Sequence, residues 1–97
     1  MFRFLRKRNE AITDKFKRLM DEGKLDDALV VIEEILARNP NISTSHFNHG
    51  ICLSQIERYD DAATAFLRAY ELDDTNGGAL YRACISLAHA NNNNDDK

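Results

Sequence analysis

Two histidines and a cysteine are the residues whose types and spacing come closest to a metal site. His46, His49 and Cys52 follow one another at intervals of three residues, and imidazole nitrogen and thiolate sulfur are ligands of Zn²⁺. On a helix, however, the last residue of such a series lies about 240° around the axis from the first, so these side chains alone could not bind one ion. Both histidines also occupy packing positions of the repeat described below. We therefore predict half-buried, hydrogen-bonded histidines and no metal.

The rest of the sequence contains no grouping that would catalyse a reaction. It has no Ser/His/Asp arrangement, no glycine-rich phosphate loop and no paired carboxylates in an apolar stretch. Asp26-Asp27 and Asp60-Asp61 open two helical stretches, where carboxylates oppose the positive end of the helix dipole. This role explains them better than a divalent-cation site does. We expect neither enzymatic activity nor a cofactor.

Charge is distributed unevenly along the 97 residues, whose net formal charge is −3. Residues 1–24 hold eight Lys or Arg against four Asp or Glu, a charge of +4, and the remaining residues hold five against twelve, a charge of −7. This asymmetry argues against a uniformly basic nucleic-acid-binding protein. It suits docking of one end on an acidic surface, or head-to-tail self-association.

The two cysteines indicate a reducing environment. Cys52 and Cys84 both lie in apolar helical stretches, so we predict two small buried thiols rather than a disulfide or a zinc module, and a cytoplasmic location. The first eight residues lack the apolar core of a secretory signal. No apolar stretch approaches the roughly 20 residues that span a bilayer.

The sequence repeats with a period of 34 residues. Shifted by that distance, Leu25-Asp26-Asp27-Ala28 aligns with Tyr59-Asp60-Asp61-Ala62. Three positions recur three times: Ile12, His46 and Leu80; Phe16, Gly50 and Cys84; Leu19, Leu53 and Leu87. Apolar residues within each unit are spaced as on one side of a helix, and Asn39-Pro40 ends one such stretch. We predict five helices, at about 9–22, 25–38, 43–56, 59–72 and 78–90.

This pattern resembles the tetratricopeptide repeat (TPR), a helix–turn–helix unit with the same period. The second unit is the most similar and has these residues at the family's positions: Gly50, Leu53, Tyr59, Ala62 and Phe66. It departs from the family at His46, His49 and Asp74, and the first unit departs at Phe16, where a small residue is usual. The resemblance implies an all-α fold, a right-handed α-α superhelix of antiparallel helix pairs. Its repeat domain would cover residues 9–90, with repeats at 9–42 and 43–76 and a capping half-repeat at 77–90.

The resemblance also implies a concave groove lined by the first helices of successive units. The candidate binding residues in that groove are Lys17, Phe47, Asn48, Ile51, Tyr81, Arg82 and Ile85. Phe47 and Tyr81 are large aromatic residues at positions that the core does not require, and exposed aromatic residues near Arg are typical of binding hot spots.

Some members of this family grip a C-terminal carboxylate with a set of Lys, Asn and Arg residues. Here Asn48 and Arg82 match that set, whereas Thr13, Lys17 and Gly78 depart from it, so the full carboxylate clamp is not expected. One hypothesis is a weaker acidic-peptide site that uses Lys17, Asn48 and Arg82. The other is a solvated groove of mixed character.

The two ends of the chain admit more than one interpretation. Residues 1–8 combine Phe and Leu with Arg and Lys; they either extend the first helix and cover its exposed end, or bind weakly to an anionic membrane. The last helix is apolar on most sides, so its outer surface is either ordinary exposed surface or an interface for a dimer or a partner. Residues 91–97 form a polar tail predicted to be disordered.

We therefore predict a protein–protein interaction module, an adaptor, scaffold or chaperone-like subunit that holds a peptide or helix of another protein in its groove. One alternative is a structural subunit that forms a homodimer or larger assembly through its C-terminal helix. The other is a peripheral membrane protein that binds through residues 1–8. No nucleic-acid partner is expected.

Overall fold

The computed structural model describes the backbone of residues 11–95 and the side chains of residues 11–92. This part of the chain contains no β-strand and five α-helices: α1 (Ile12–Asp21), α2 (Leu25–Arg38), α3 (Ser43–Gln55), α4 (Tyr59–Leu72) and α5 (Gly77–Asp95). The predicted all-α class and the predicted number of helices are confirmed. The N-terminal extension, residues 1–8, and the first residues of the predicted first helix, 9–10, lie outside the described residues.

Backbone geometry recurs in the two helix pairs at the spacing found in the sequence. Both α2 and α4 contain 14 residues, and both follow a turn with one residue of positive φ, Gly23 at 75° and Glu57 at 66°. Each turn closes with an amide that donates to a carbonyl five residues earlier, Lys24 to Leu19 and Arg58 to Leu53, both at 2.9 Å. This pattern is that of a helix ending in a left-handed residue, and the chain forms it twice.

Replacement of Glu57 by glycine is expected to raise the thermal midpoint. A side chain in the left-handed region costs about 1–2 kcal/mol, and Glu57 makes no side-chain hydrogen bond or ion pair among the described residues that its removal would break. Part of the gain is offset because glycine is more flexible in the unfolded chain. A net gain of about 1 kcal/mol would raise the midpoint by about 4–8 °C in a domain of this size. Gln55→Gly, at the last residue of α3, is the control and should lower the midpoint. A lower midpoint for Glu57→Gly as well would contradict the proposed backbone strain at Glu57.

The fifth helix differs from its predicted bounds. It begins at Gly77 and continues to Asp95, beyond its predicted end at about residue 90 and into the segment predicted to be a polar tail. Asn76 caps the start of the helix, since its Oδ1 accepts a hydrogen bond from the Ala79 amide at 3.2 Å. Once a helix is formed and packed, adding a residue requires only propagation. The asparagines of this segment therefore extend a helix that they would not initiate.

Consecutive helices pack against one another and run in opposite directions. At one end of the molecule the Ser43 hydroxyl, which begins α3, donates to the carbonyl of Ala69 near the end of α4, at 2.7 Å. At the other end the Cys52 thiol of α3 donates to the carbonyl of Leu25, which begins α2, at 3.6 Å. These contacts require antiparallel neighbours, as short connections between helices predict.

The core consists of two adjoining clusters. The first joins α1 and α2 and includes Phe16, Leu19, Ala28, Val31, Ile32 and Ile35, with Cys52 of α3. The second joins α3, α4 and α5 and includes Leu53, Ala62, Ala65, Phe66 and Ala83. The half-buried Leu29 packs against both clusters, so the helix pairs share one continuous apolar interior.

Among the described helices, none combines the length and the apolar character that crossing a bilayer requires.

Candidate protein-binding surfaces

The third and fifth helices, α3 and α5, carry most of the predicted binding residues. We call the surface of these two helices the α3–α5 face and define it by Phe47, Ile51, Tyr81, Arg82 and Ile85. Tyr81 is 68% exposed, and the guanidinium carbon of Arg82 lies 5.5 Å from the centroid of the Phe47 ring. A cation at this distance over an aromatic ring is attracted by its π-electrons.

Phe47 has a different role from the one predicted. It is half-buried and packs edge to face against the fully buried Phe66, with ring centroids 5.4 Å apart and an interplanar angle of 64°. The expectation that the core does not need Phe47 is therefore wrong. Because one side of the ring faces the core and Arg82 lies over it, Phe47 links the interior of the domain to a charged group on its surface.

A cavity of about 240 Å³ opens beside Arg82 on this face. It is lined by Ser54, Tyr59, Phe66, Arg82, Ile85, Ser86 and His89. Ser86 is 3% exposed. The rings of Tyr59 and His89 stack, with centroids 4.8 Å apart. Sequence analysis did not anticipate that this stack would form a wall of the cavity.

No hydrogen bond or ion pair between described residues joins Lys17 or Asn48 to Arg82. Lys17 is exposed on α1, and that helix packs mainly on α2. Asn48 is half-buried on α3. Of the predicted binding residues, Arg82 and Phe47 are a pair in direct contact.

The helices that form the α3–α5 face carry a single acidic residue within their described bounds. The helix α3 contains no Asp or Glu, and in α5 the first is Asp95 at its end. The helices α2 and α4 carry seven: Asp26, Asp27, Glu33, Glu34, Asp60, Asp61 and Glu71. Although the chain as a whole is acidic, its acidic residues lie mostly away from this face. Arg82 has no carboxylate within ion-pair distance in the described structure.

The outer side of α5 is a second apolar surface. Leu80, Cys84 and Leu87 lie on it, and the two leucines are 39% and 44% exposed. The prediction of a buried thiol is wrong for Cys84, which is exposed. Leu19 and Leu53, at the positions equivalent to Leu87, are 6% and 1% exposed, because in those units the next helix covers them. No described helix covers this side of α5.

The histidine–cysteine series does not form a metal site among the described residues, where no group of three suitable ligands occurs. His46 lies 2.7 Å through Nε2 from the Pro40 carbonyl, as predicted for a hydrogen-bonded histidine. His49 differs, because its buried Nε2 has no hydrogen-bond partner in the described structure. Burial lowers the pKa of His49, and the nearby Glu33 carboxylate, 3.9 Å away, opposes that shift only in part. Burial raises the pKa of the Cys52 thiol, which makes it a poor nucleophile.

A larger cavity, of about 600 Å³, lies between α2, α3 and α4. Its apolar lining includes Leu36, Leu53, Ala65 and Leu67, and its charged lining includes Glu33, Arg58, Asp61, Arg68 and Glu71. Sequence analysis missed it, because helical periodicity assigns residues to a buried or exposed side but does not show where two helices diverge. The residue that could have pointed to this cavity is Leu67, a large apolar residue of α4 that is 40% exposed.

The chain was compared with models of known protein families and with curated proteins. No family model matches the chain, and no curated protein matches it.

Proposed function

We propose that this chain is a TPR-like repeat module, without enzymatic activity, that binds a peptide or helix of another protein on its α3–α5 face. The recurrence of the same turn at Gly23 and Glu57 and of two 14-residue helices supports the assignment to paired-helix repeats. A right-handed superhelix would follow from stacking such pairs. The α3–α5 face would then be the concave side of the array.

Arg82 is the observation on which the proposal rests. Its guanidinium lies over the Phe47 ring, no carboxylate in the described structure neutralises it, and it borders a cavity. An arginine held over an aromatic ring keeps its donors directed outward and loses less rotamer freedom on binding. Arg and aromatic residues at the centre of a contact are typical of binding hot spots.

The proposed partner is acidic. A carboxylate of the partner can accept two parallel hydrogen bonds from one guanidinium, and no Asp or Glu lies within ion-pair distance of Arg82 in the described structure to compete with it. Tyr81 and Ile85, which are both exposed on the same helix, would supply apolar contact area. Lys17 and Asn48 are secondary candidates in this proposal, because no hydrogen bond or ion pair in the described structure joins them to Arg82.

Replacement of Arg82 by alanine is expected to weaken binding of a fluorescein-labelled glutamate-rich peptide about tenfold, since a hydrogen bond to a charged group contributes about 1.5–3 kcal/mol. The measurement is fluorescence anisotropy at low ionic strength. Arg38→Ala is the matched control, because Arg38 is an exposed arginine on α2 that already pairs with Glu34 at 2.8 Å. Equal losses for the two variants would reject the assignment to Arg82.

Self-association through α5 is the second candidate function. The observation that favours it is the exposure of Leu80 and Leu87 at positions whose equivalents in the first two units a neighbouring helix covers. Sedimentation equilibrium separates the two functions, because a dimer at micromolar concentration favours self-association and a monomer favours partner binding. The third alternative, membrane attachment through residues 1–8, concerns residues outside the described structure and requires liposome co-sedimentation.

A further inference from the structure

The cavity between α2, α3 and α4 has the size and lining of a ligand site. Its volume of about 600 Å³ falls within the range of about 300–1,000 Å³ found for binding pockets. Leu36 and Leu53 contribute apolar surface from α2 and α3, and Ala65 and Leu67 contribute it from α4. Such a lining binds apolar side chains.

The charges around this cavity are not equivalent. Arg58 pairs with Asp61, with Nη2 and Oδ2 2.8 Å apart, so these two charges largely cancel. Arg68 donates a hydrogen bond to the side-chain oxygen of Asn41 at 3.4 Å, a neutral amide that leaves its positive charge in place. Glu33 and Glu71 also remain charged, and neither has a Lys or Arg within ion-pair distance in the described structure. Two carboxylates therefore stand against one guanidinium, and the net charge around the cavity is negative.

His49 does not neutralise Glu33. Its Nε2 is 3.9 Å from the Glu33 carboxylate. A protonated His49 would neutralise that carboxylate, but burial lowers the pKa of His49 and keeps its imidazole neutral near pH 7. Glu33 thus keeps its negative charge available to a ligand.

We infer that this cavity is a second protein-binding site, on a surface separate from the α3–α5 face, and that it takes a peptide segment in which large apolar side chains are flanked by Lys or Arg. The apolar side chains fill the space among Leu36, Leu53 and Leu67, and the cations lie at Glu33 and Glu71. The two surfaces of the domain therefore select opposite charges. Charge complementarity of this kind acts mainly on specificity and association rate.

The test measures binding of a fluorescein-labelled octapeptide of alternating leucine and arginine to the full chain by fluorescence anisotropy. A peptide of alternating leucine and glutamate is expected to bind at least tenfold more weakly at this site. The double variant Glu33→Gln/Glu71→Gln is expected to raise Kd for the leucine–arginine peptide roughly five- to tenfold. Glu34→Gln is the matched control, because Glu34 neighbours Glu33 but lies outside the cavity and already pairs with Arg38.

Three outcomes would overturn the inference. In the first, the double variant binds the peptide as tightly as Glu34→Gln does. In the second, Arg82→Ala changes this affinity, which would place the peptide on the α3–α5 face; an unchanged affinity keeps the two sites distinct even if the acidic-peptide proposal fails. In the third, Arg6→Glu/Lys7→Glu strengthens binding, which would identify the chain's own basic and apolar residues 1–8 as the occupant in place of a separate partner.

Discussion

Replacement of Phe66 by alanine is expected to unfold most of the domain. Phe66 is 1% exposed and packs in the cluster that joins α3, α4 and α5. Substitution of a buried phenylalanine by alanine costs about 3–5 kcal/mol. Proteins are stable by about 5–15 kcal/mol, and small domains bury a smaller fraction of their surface. The loss is therefore comparable to the total stability of the domain.

The neighbours of Phe66 place this substitution at the upper end of that range. Ala62, Ala65 and Ala83 are already the smallest side chains of the cluster and have no atoms with which to fill a cavity. Phe47 would also lose the ring against which it packs, 5.4 Å away between centroids. A cavity that its surroundings cannot fill keeps its full cost.

The measurement for Phe66→Ala is urea and thermal unfolding followed by circular dichroism. Leu67→Ala is the control, because Leu67 is the next residue of α4 but is 40% exposed, and it should change stability by less than about 1 kcal/mol. A Phe66→Ala protein that unfolds cooperatively with nearly the original midpoint would show that α5 is not held through this cluster.

Local patterns sufficed to predict the helices and the turns. The stop before Pro40, the acids at the start of α2 and α4 and the period of 34 residues depend on neighbouring residues, and α2 and α4 occupy their predicted bounds. The turn at Glu57 could be assigned from the equivalent Gly23, and both have positive φ. Such features depend on residues that are close together in the sequence. They can be predicted without knowing how the helices are oriented relative to one another.

The surfaces depended on interhelical geometry, which the sequence pattern does not contain. Cys84 was predicted buried, but it lies on the side of α5 that no described helix covers. Phe47 was predicted exposed, but the rotation of α3 turns its ring towards Phe66. Tyr59 and His89 are 30 residues apart in the sequence and stack because α4 and α5 are antiparallel. Each of these features depends on which side of a helix meets a neighbouring helix, and residue spacing along the chain does not specify this.

Replacement of Gly50 by alanine tests how closely α3 approaches α4. A Cβ at this position would lie 2.7, 2.7 and 2.8 Å from three ring atoms of Phe66, well inside the usual carbon–carbon contact of about 3.5–4.0 Å. Alanine gains roughly 1 kcal/mol over glycine in helix propensity, but overpacking of a full core costs about 1–3 kcal/mol. Because three atoms clash and the ring is fully buried, we expect a net loss of about 1–2 kcal/mol.

The same substitution at Gly77 separates the two effects. No heavy atom lies within 4 Å of a Cβ built there, so Gly77→Ala should leave stability unchanged or raise it. Chemical denaturation of Gly50→Ala and Gly77→Ala then compares a helical glycine whose Cβ would clash with one whose Cβ would meet no atom. A stabilised Gly50→Ala protein would mean that Phe66 moves aside at little cost.

A second substitution at Phe66 is expected to relieve the clash. The first unit has Phe16 and Ile32 at the positions of Gly50 and Phe66, and both are buried, at 5% and 1% exposure, so a larger residue on the first helix is matched by a smaller one on the second. The double variant Gly50→Ala/Phe66→Leu should therefore be more stable than the sum of the single losses predicts, by about 1 kcal/mol in a double-mutant cycle. If the two losses simply add, contact between the two residues does not limit the approach of α3 to α4, and the first unit's Phe16 needs another explanation.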